Sequence, residues 1–209
     1  MNDITNQPPA GLIRDLRQLI PLRPLSFHEA FELAERQATE ILRLLRLDQP
    51  SVPMRWVLEL PKVEVRLEPR HRMTGLAGLT TWRKGRYLTI VNRNDPHGRR
   101  RFTLAHEVKH ILDYTLVDTI YSQFGVGDEA LQVRRMELVC DHFAACLLMP
   151  RLWLKRSWSA GLQDPASLAG LFSVTTRAME VRLSYLGFTD DHRPTATYFR
   201  RQPLMSQLV

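Results

Sequence analysis

Two histidines and a glutamate in the stretch RRRFTLAHEVKHILDY, residues 99–114, have the types and spacing of a metal site with its general base. In a helix that turns about 100° per residue, His106, His110 and Tyr114 share one face. Two imidazoles one turn apart can bind one zinc ion, and Glu107 then projects towards the ion's open position, where it can take a proton from water. The alternative is a solvated face of an amphipathic helix. A third ligand is needed to decide between the two.

A second segment, RRMELVCDHFAACLLMP, places two carboxylates on a helix that is apolar around most of its circumference. Glu137 and Asp141 lie about 40° apart on the helical wheel. Because a buried carboxylate needs a cation or strong donors to offset its desolvation, we expect Glu137 to be the third zinc ligand. Asp141 would then accept a hydrogen bond from a ligating histidine and fix its tautomer. Cys140 and His142 are alternative ligands, at about 60° and 140° from Glu137 on the wheel.

The motifs RFTLAHEVKH and, further along the chain, ELVCDHFAACLLMP resemble the paired pattern of the ImmA/IrrE family of zinc metallo-endopeptidases, which are gluzincin-like enzymes. The likeness extends over residues 28–188. It implies a small zincin-like metallopeptidase fold and one zinc ion per chain. By this resemblance His106, His110 and Glu137 bind the zinc ion, and Glu107 is the catalytic carboxylate.

Two positions depart from the pattern of the family. Lys109 stands where glycine is usual, and Cys140 stands where alanine is common. On the helical wheel Lys109 lies about 60° from His106, so we expect its side chain at the rim of the cleft, where it removes no ligand.

A site with three protein ligands keeps a fourth position for water, which is the arrangement of a catalytic zinc site and not of a structural one. Tyr114 and Tyr121 are candidate stabilisers of the oxyanion, and packing or simple exposure is the alternative role for both. An extended substrate could add as a strand to YLTIVN, residues 87–92, or to its hairpin mate GLTTW, residues 78–82.

The order of elements predicts an α+β fold. Ser26 and Glu29 have capping-box spacing ahead of a long amphipathic helix, an alternating strand follows, and a hairpin turns at RKGR before the H-E-x-x-H helix. We expect a small antiparallel sheet, the H-E-x-x-H helix, a buried second helix and a helical C-terminal part. We expect an N-terminal arm at residues 1–25 and the metallopeptidase core at residues 26–150. A helical segment packed on the core should follow at residues 151–189, and a C-terminal tail at residues 190–209.

Residues 164–187 read as a helix-turn-helix, with Arg177 and Arg182 on the second helix. A DNA-binding transcriptional regulator is therefore the alternative function, although the apolar positions of the segment could instead pack it under the core. The family resemblance implies that the substrates are often helix-turn-helix repressors of phage, mobile-element or stress-response genes. A protein that binds such a regulator without cutting it is a third possibility.

The composition bounds these functions. The 209 residues are 44% hydrophobic, enough for one domain with a core, and the formal charge of +7 comes mostly from arginine, including Arg99, Arg100 and Arg101. Such a cluster attracts nucleic acid or an acidic surface, with a solvated surface as the alternative. No run reaches the roughly 18 apolar residues of a membrane span, and the N-terminus lacks a signal-peptide pattern, so we expect a cytoplasmic protein. The oligomeric state is left open.

Overall fold

The computed structural model describes residues 7–73 and 75–189, and it places three strands and eight α-helices in this part of the chain. The first six residues of the expected arm and the expected tail, residues 190–209, lie outside the described part. In chain order the elements are α1 (Leu12–Arg17), α2 (Phe27–Leu44), β1 (Val63–Glu68), β2 (Gly78–Arg83), β3 (Arg86–Asn92), α3 (His97–Asp113), α4 (Val117–Ile120), α5 (Glu129–Leu148), α6 (Arg151–Ser159), α7 (Pro165–Phe172) and α8 (Thr176–Tyr185), with short 3₁₀ segments at Arg55–Glu59 and Arg70–Arg72. The α+β fold class is confirmed.

Helix α2 begins at the predicted capping box. The Ser26 hydroxyl accepts from the backbone N–H of Glu29 at 3.2 Å, and the Glu29 carboxylate accepts from the backbone N–H of Ser26 at 2.8 Å. These reciprocal bonds satisfy two donors that a helix start leaves unpaired. The apolar face of α2, which includes Leu33 and Ile41, is buried, and the helix packs along α5.

The sheet has the order β1-β3-β2, so β3 is the central strand. β2 and β3 form the predicted antiparallel hairpin. Lys84 and Gly85 form its turn, with φ angles of 51° and 78°. Positive φ angles at both residues are typical of two-residue turns, because they match the twist of the strands. β1, however, pairs with β3 in parallel. The expectation of a purely antiparallel sheet was therefore wrong. The segment between β1 and β2 carries the chain to the opposite edge, and β3 then returns between the two strands.

Helices α3 and α5 form the centre of the molecule. α3 begins at His97 and packs against the sheet on one side and α5 on the other. Because neighbours cover it almost completely, polar residues are buried in it as well as apolar ones. The C-terminal half of α5, from Val139 onward, is similarly enclosed, as its apolar circumference predicted. A side chain on the facing surfaces of these two helices is thus held inside the core, where a polar group needs a partner.

The two ends of the described chain pack onto this centre. From α1, Arg17 donates to the carbonyls of Ile111 and Leu112 at 2.6 and 3.0 Å, where α3 ends, and thereby satisfies acceptors that a helix end leaves unpaired. At the other end, the apolar side chains of α7 and α8 belong to the same buried core as those of α3 and α5. The helix-turn-helix segment is therefore part of the packed body.

Candidate metal centre

Three side chains from α3 and α5 meet at one point. The Nε2 atoms of His106 and His110 are 3.1 Å apart. Glu137 Oε2 lies 3.3 Å from His106 Nε2, and Glu137 Oε1 lies 3.3 Å from His110 Nε2. Ligand atoms about 2.0–2.1 Å from a tetrahedral zinc ion lie roughly 3.3 Å from each other, so this triangle fits a zinc ion with little movement. The His106 side chain is fully buried, whereas His110 and Glu137 are 27% and 24% exposed. The centre is therefore reached from the side of His110 and Glu137.

Asp141 holds the buried histidine from behind. Its Oδ1 lies 2.8 Å from His106 Nδ1, the ring nitrogen that does not face Glu137. This contact places the proton of a neutral His106 on Nδ1 and leaves the lone pair of Nε2 directed at the triangle. Since Asp141 is one helical turn after Glu137 on α5, a single helix supplies both carboxylates, as the spacing of the sequence indicated.

The charges of this site call for a cation. Burial by itself lowers the pKa of His106, but its contacts with Asp141 and Glu137 outweigh burial and raise that pKa to about 10. Burial opposes ionisation of Glu137 too, yet its hydrogen bonds with His106 and His110 hold the pKa of its carboxyl well below the usual range. The two carboxylates in contact with His106 thus suit a bound cation at this centre.

Glu107 is buried beside these groups, at 1% exposure, and its Oε1 has no hydrogen-bond partner within the described residues. A buried carboxylate oxygen without a partner is costly unless water or a ligand meets it. The neighbouring backbone is Gly78, at the start of β2, where an added Cβ would lie 2.6 Å from Glu107 Oε1 and 2.4 Å from Thr103 Cγ2. Only glycine fits there. Sequence reasoning did not identify Gly78 as part of the site, because its role depends on how closely β2 approaches α3.

The two alternative ligands occupy different places. The sulfur of Cys140 lies close enough to His106 and His110 for the three to form a possible ligand group. Its near contact, however, is His110 Nδ1 at 3.8 Å, the ring nitrogen on the far side from the triangle. We therefore regard Glu137 as the better-placed third ligand and Cys140 as a support for the His110 ring. His142 points away, into a contact with Phe31, and belongs to another part of the molecule.

The structure places the two tyrosines in other contacts. Tyr121 is 1% exposed, and its hydroxyl donates to the carboxylate of Asp113. The ring of Tyr114 lies edge-on to Tyr87 at 5.4 Å and tilted to Trp82 at 6.2 Å. Both tyrosines thus contribute to packing, and among the described residues no hydrogen bond links either of them to His106 or Glu137, as an oxyanion donor at this centre would need.

The helical wheel predicted Lys109 at the rim of the cleft, and that prediction was wrong. Its side chain is fully buried, and its ammonium donates to Asp113 Oδ1 at 2.7 Å and to Gln37 Oε1 at 2.9 Å. Both sides of α3 are covered in this fold, so a position about 60° from a ligand faces α2 and not solvent. Lys109 therefore holds α3 against α2 behind the metal centre.

The arginines of the alternative DNA-binding function divide between surface and core. Arg182 is 3% exposed and donates to the carbonyl of Met149 at 3.2 Å. Arg101, from the basic cluster before the H-E-x-x-H motif, is also buried and donates to the carbonyl of Val52 at 2.8 Å. Arg177 is on the surface, where it pairs with Glu180. The surface available for phosphate contact on α8 is smaller than the sequence suggested.

An H-E-x-x-H helix packed between a small sheet and a second helix that carries an acidic side chain defines a zincin-like fold. The family described as Peptidase M78, IrrE N-terminal-like domain, matches residues 60–184, more than half of the chain. The chain belongs to this family, and the resemblance to ImmA/IrrE proteins is confirmed. Membership indicates a peptidase, and the donor groups in the structure suit the metal cofactor that such a family suggests.

Other comparisons concern the fold. A Mycobacterium tuberculosis transcriptional regulator of known structure superposes with a TM-score of 0.56 at 17% sequence identity, over 88% of this chain and 52% of that one. The chain thus spans about half the length of that protein, and the likeness shows the fold alone. No curated protein matches the sequence significantly. Within the described ranges, no helix combines the length and apolar content that crossing a membrane requires.

Proposed function

We propose that this protein is a zinc-dependent endopeptidase, with His106, His110 and Glu137 as the zinc ligands. The observation that carries the proposal is the triangle of their ligand atoms, with separations of 3.1–3.3 Å, together with the buried Glu107 oxygen, which no described residue hydrogen-bonds. Imidazole and carboxylate donors with three protein positions are the usual set of a catalytic zinc ion, one per chain. When bound, the ion supplies a Lewis acid for the scissile carbonyl and lowers the pKa of water towards about 7.

The residues of the chain carry the proton transfers. Glu107 accepts the proton of the attacking water and then delivers it to the amine that leaves when the C–N bond breaks. The glycine at position 78 leaves room for this buried carboxylate, because an added Cβ would lie 2.6 Å from its Oε1. Asp141 orients His106 through the 2.8 Å contact with Nδ1. The chain thus holds a base, a proton donor and an oriented ligand in one buried region.

The sheet offers a place for an extended substrate. β3 is central, so its strand YLTIVN is already paired on both sides, and β2 is the edge strand next to α3. Gly78 of β2 lies against Glu107. A peptide that pairs with the edge of β2 that no other described strand covers would run past the catalytic carboxylate, with backbone hydrogen bonds providing affinity and side-chain contacts providing selectivity. We propose β2 as the substrate-binding strand.

The proposed substrate is a helix-turn-helix repressor of a phage, mobile element or stress response, cleaved in the cytoplasm to release transcription. The family resemblance, which implies such substrates, supports this class. A DNA-binding function for residues 164–187 has less support, because Arg182 is buried against Met149 and the apolar faces of α7 and α8 lie in the core.

Incubation of the zinc-loaded protein with the regulator encoded beside it tests the proposal. We expect one specific cleavage, and we expect Glu107→Gln to reduce its rate by at least about 100-fold while zinc content stays at the wild-type level. Glu129→Gln, which changes an exposed carboxylate at the start of α5, is the matched control and should cleave normally. Undiminished cleavage by Glu107→Gln would refute the mechanism.

Measuring the zinc content of each variant distinguishes residues that bind zinc from residues that act only in the cleavage reaction. His110→Ala should lose the zinc of the peptidase centre together with the cleavage, whereas an unchanged zinc content, measured against wild type, would remove His110 from the site. If zinc binds as proposed and the regulator binds but stays intact, the third possibility, a regulator-binding protein without proteolysis, is supported.

A further inference from the structure

A second group of metal-ligating side chains lies between α2 and α5, away from the peptidase centre. It consists of Glu35 from α2 and of His142 and Cys146 from α5, and one ligand atom from each of the three lies within 4.8 Å of the others. His142 is about 140° around α5 from Glu137, so the two groups project from different sides of the same helix. Nothing in the proposed peptidase mechanism uses this second group.

The histidine and the cysteine already have the separation of two ligands on one ion. His142 and Cys146 are four residues apart in a helix, and His142 Nε2 lies 3.4 Å from Cys146 Sγ. With Zn–N near 2.0–2.1 Å and Zn–S near 2.3 Å, tetrahedral coordination separates the nitrogen and the sulfur by about 3.6 Å. The observed distance therefore needs only a few tenths of an ångström of adjustment to admit the ion.

Aromatic neighbours fix the imidazole in this orientation. The His142 ring stacks on Phe31, with centroids 4.4 Å apart and planes at 27°, and meets Tyr185 edge-on at 5.2 Å. The stacked contact covers one face of the ring, and its Nε2 edge is directed at Cys146. His142 and Cys146 are buried, and Glu35 lies at the exposed rim of the group. The arrangement is a preformed nitrogen and sulfur pair with a carboxylate at its entrance.

A small cavity adjoins the group and provides room for a further ligand. It measures about 70 Å³, and Phe31, His142, Arg182 and Tyr185 are among its lining residues. Of the three proposed ligands, His142 lines this cavity, and a space of this size holds a water molecule. The guanidinium of Arg182 works against a cation here. A Cys146 thiolate and the Glu35 carboxylate together bring two negative charges, which offset it.

We propose that Glu35, His142 and Cys146 form a second metal site for a transition-metal ion that prefers thiolate and imidazole ligands, such as Zn²⁺. Thiolate and imidazole donors select such ions over Mg²⁺ or Ca²⁺. Since the ligands come from two helices, the bound ion would clamp α2 to α5. Asp141, which orients His106 in the peptidase centre, directly precedes His142 in the chain, so the clamp also fixes the turn of α5 that carries Asp141.

Cobalt titration of the reduced, metal-free protein distinguishes the two centres. Co²⁺ bound by a thiolate gives a near-ultraviolet charge-transfer absorption that nitrogen and oxygen ligands do not give. We expect this absorption in wild type and in His110→Ala, which disables the peptidase centre, and we expect it to persist in Cys140→Ser and to disappear in Cys146→Ser. The proposal is overturned if the absorption survives in Cys146→Ser or is lost in Cys140→Ser. It is overturned as well if the folded wild-type protein does not show the absorption.

Two further variants keep the test decisive if Cys146→Ser does not fold. Glu35→Gln alters an exposed side chain and should weaken Co²⁺ binding at this site by at least about 10-fold, whereas Glu32→Gln, also exposed on α2, should leave it unchanged. In His110→Ala, Zn²⁺ at about 100 times its dissociation constant should raise the melting temperature by roughly 5–10 °C. Equal affinities in the two glutamine variants, or no rise in melting temperature, would contradict the site.

Discussion

Lys109→Met removes the positive charge from a fully buried polar cluster between α3 and α2. The ammonium contacts Asp113 at 2.7 Å and Gln37 at 2.9 Å, and Tyr121 donates to the other oxygen of Asp113. Methionine keeps most of the volume of the lysine stem, so the change leaves a buried carboxylate with its tyrosine partner but without its cation. The sequence resembles a family in which glycine is usual at this position, so the cluster is a feature of this chain.

The expected loss follows from that charge. Breaking a buried ion pair by removing one partner costs about 3–5 kcal/mol of unfolding free energy. For a chain of 209 residues, 1 kcal/mol corresponds to about 2–4 °C in melting temperature, so we expect a decrease of roughly 6–20 °C. Adding Asp113→Asn to Lys109→Met should recover at least about 1 kcal/mol, because the uncompensated charge is then gone while the tyrosine keeps an acceptor.

Thermal and urea unfolding, followed by circular dichroism, measure the effect. Lys155→Met, at an exposed position of α6, is the matched control and should change stability by less than about 0.5 kcal/mol. If Lys109→Met costs under about 1 kcal/mol, or if Asp113→Asn makes it worse, Lys109 does not act as the cation of this cluster and our reasoning about its burial fails.

The remaining predictions concern the metal centre and α8. Asp141→Asn should weaken zinc affinity by about 10-fold to 100-fold with the fold retained, because the amide is a poorer acceptor for His106; competition with a chelator measures this, and an unchanged affinity would limit Asp141 to packing. Gly78→Ala should lower the cleavage rate while zinc content stays at the wild-type level, since its Cβ displaces the Glu107 carboxylate; full activity would show that the strand gives way instead. Arg177→Ala should leave the binding of duplex DNA weak, salt-dependent and unselective, as in wild type; a mobility shift that shows nanomolar, selective binding lost in this variant would restore the DNA-binding regulator.

The sequence determined the chemistry of the proposed peptidase centre because that chemistry depends on local spacing. His106 and His110 share a helical face whatever surrounds the helix, and Glu137 precedes Asp141 by one turn on a segment too apolar to be exposed. The structure brings these four side chains together, with Glu107 beside them. Capping boxes and two-residue hairpins are local in the same sense, and both were predicted correctly.

Tertiary structure decided everything that depends on what covers a face. The direction of β1 relative to β3 follows from the path of the chain between β1 and β2, which no strand pattern contains. A helical wheel gives the angle of Lys109 from His106, but only the packing of α2 against α3 shows that this side chain is buried. The hydrogen bond from Tyr121 to Asp113 depends on packing between elements in the same way. Gly78 and Glu35 come from β2 and α2, far in sequence from the groups they approach. Their roles are contacts between elements, which periodicity along one element cannot specify.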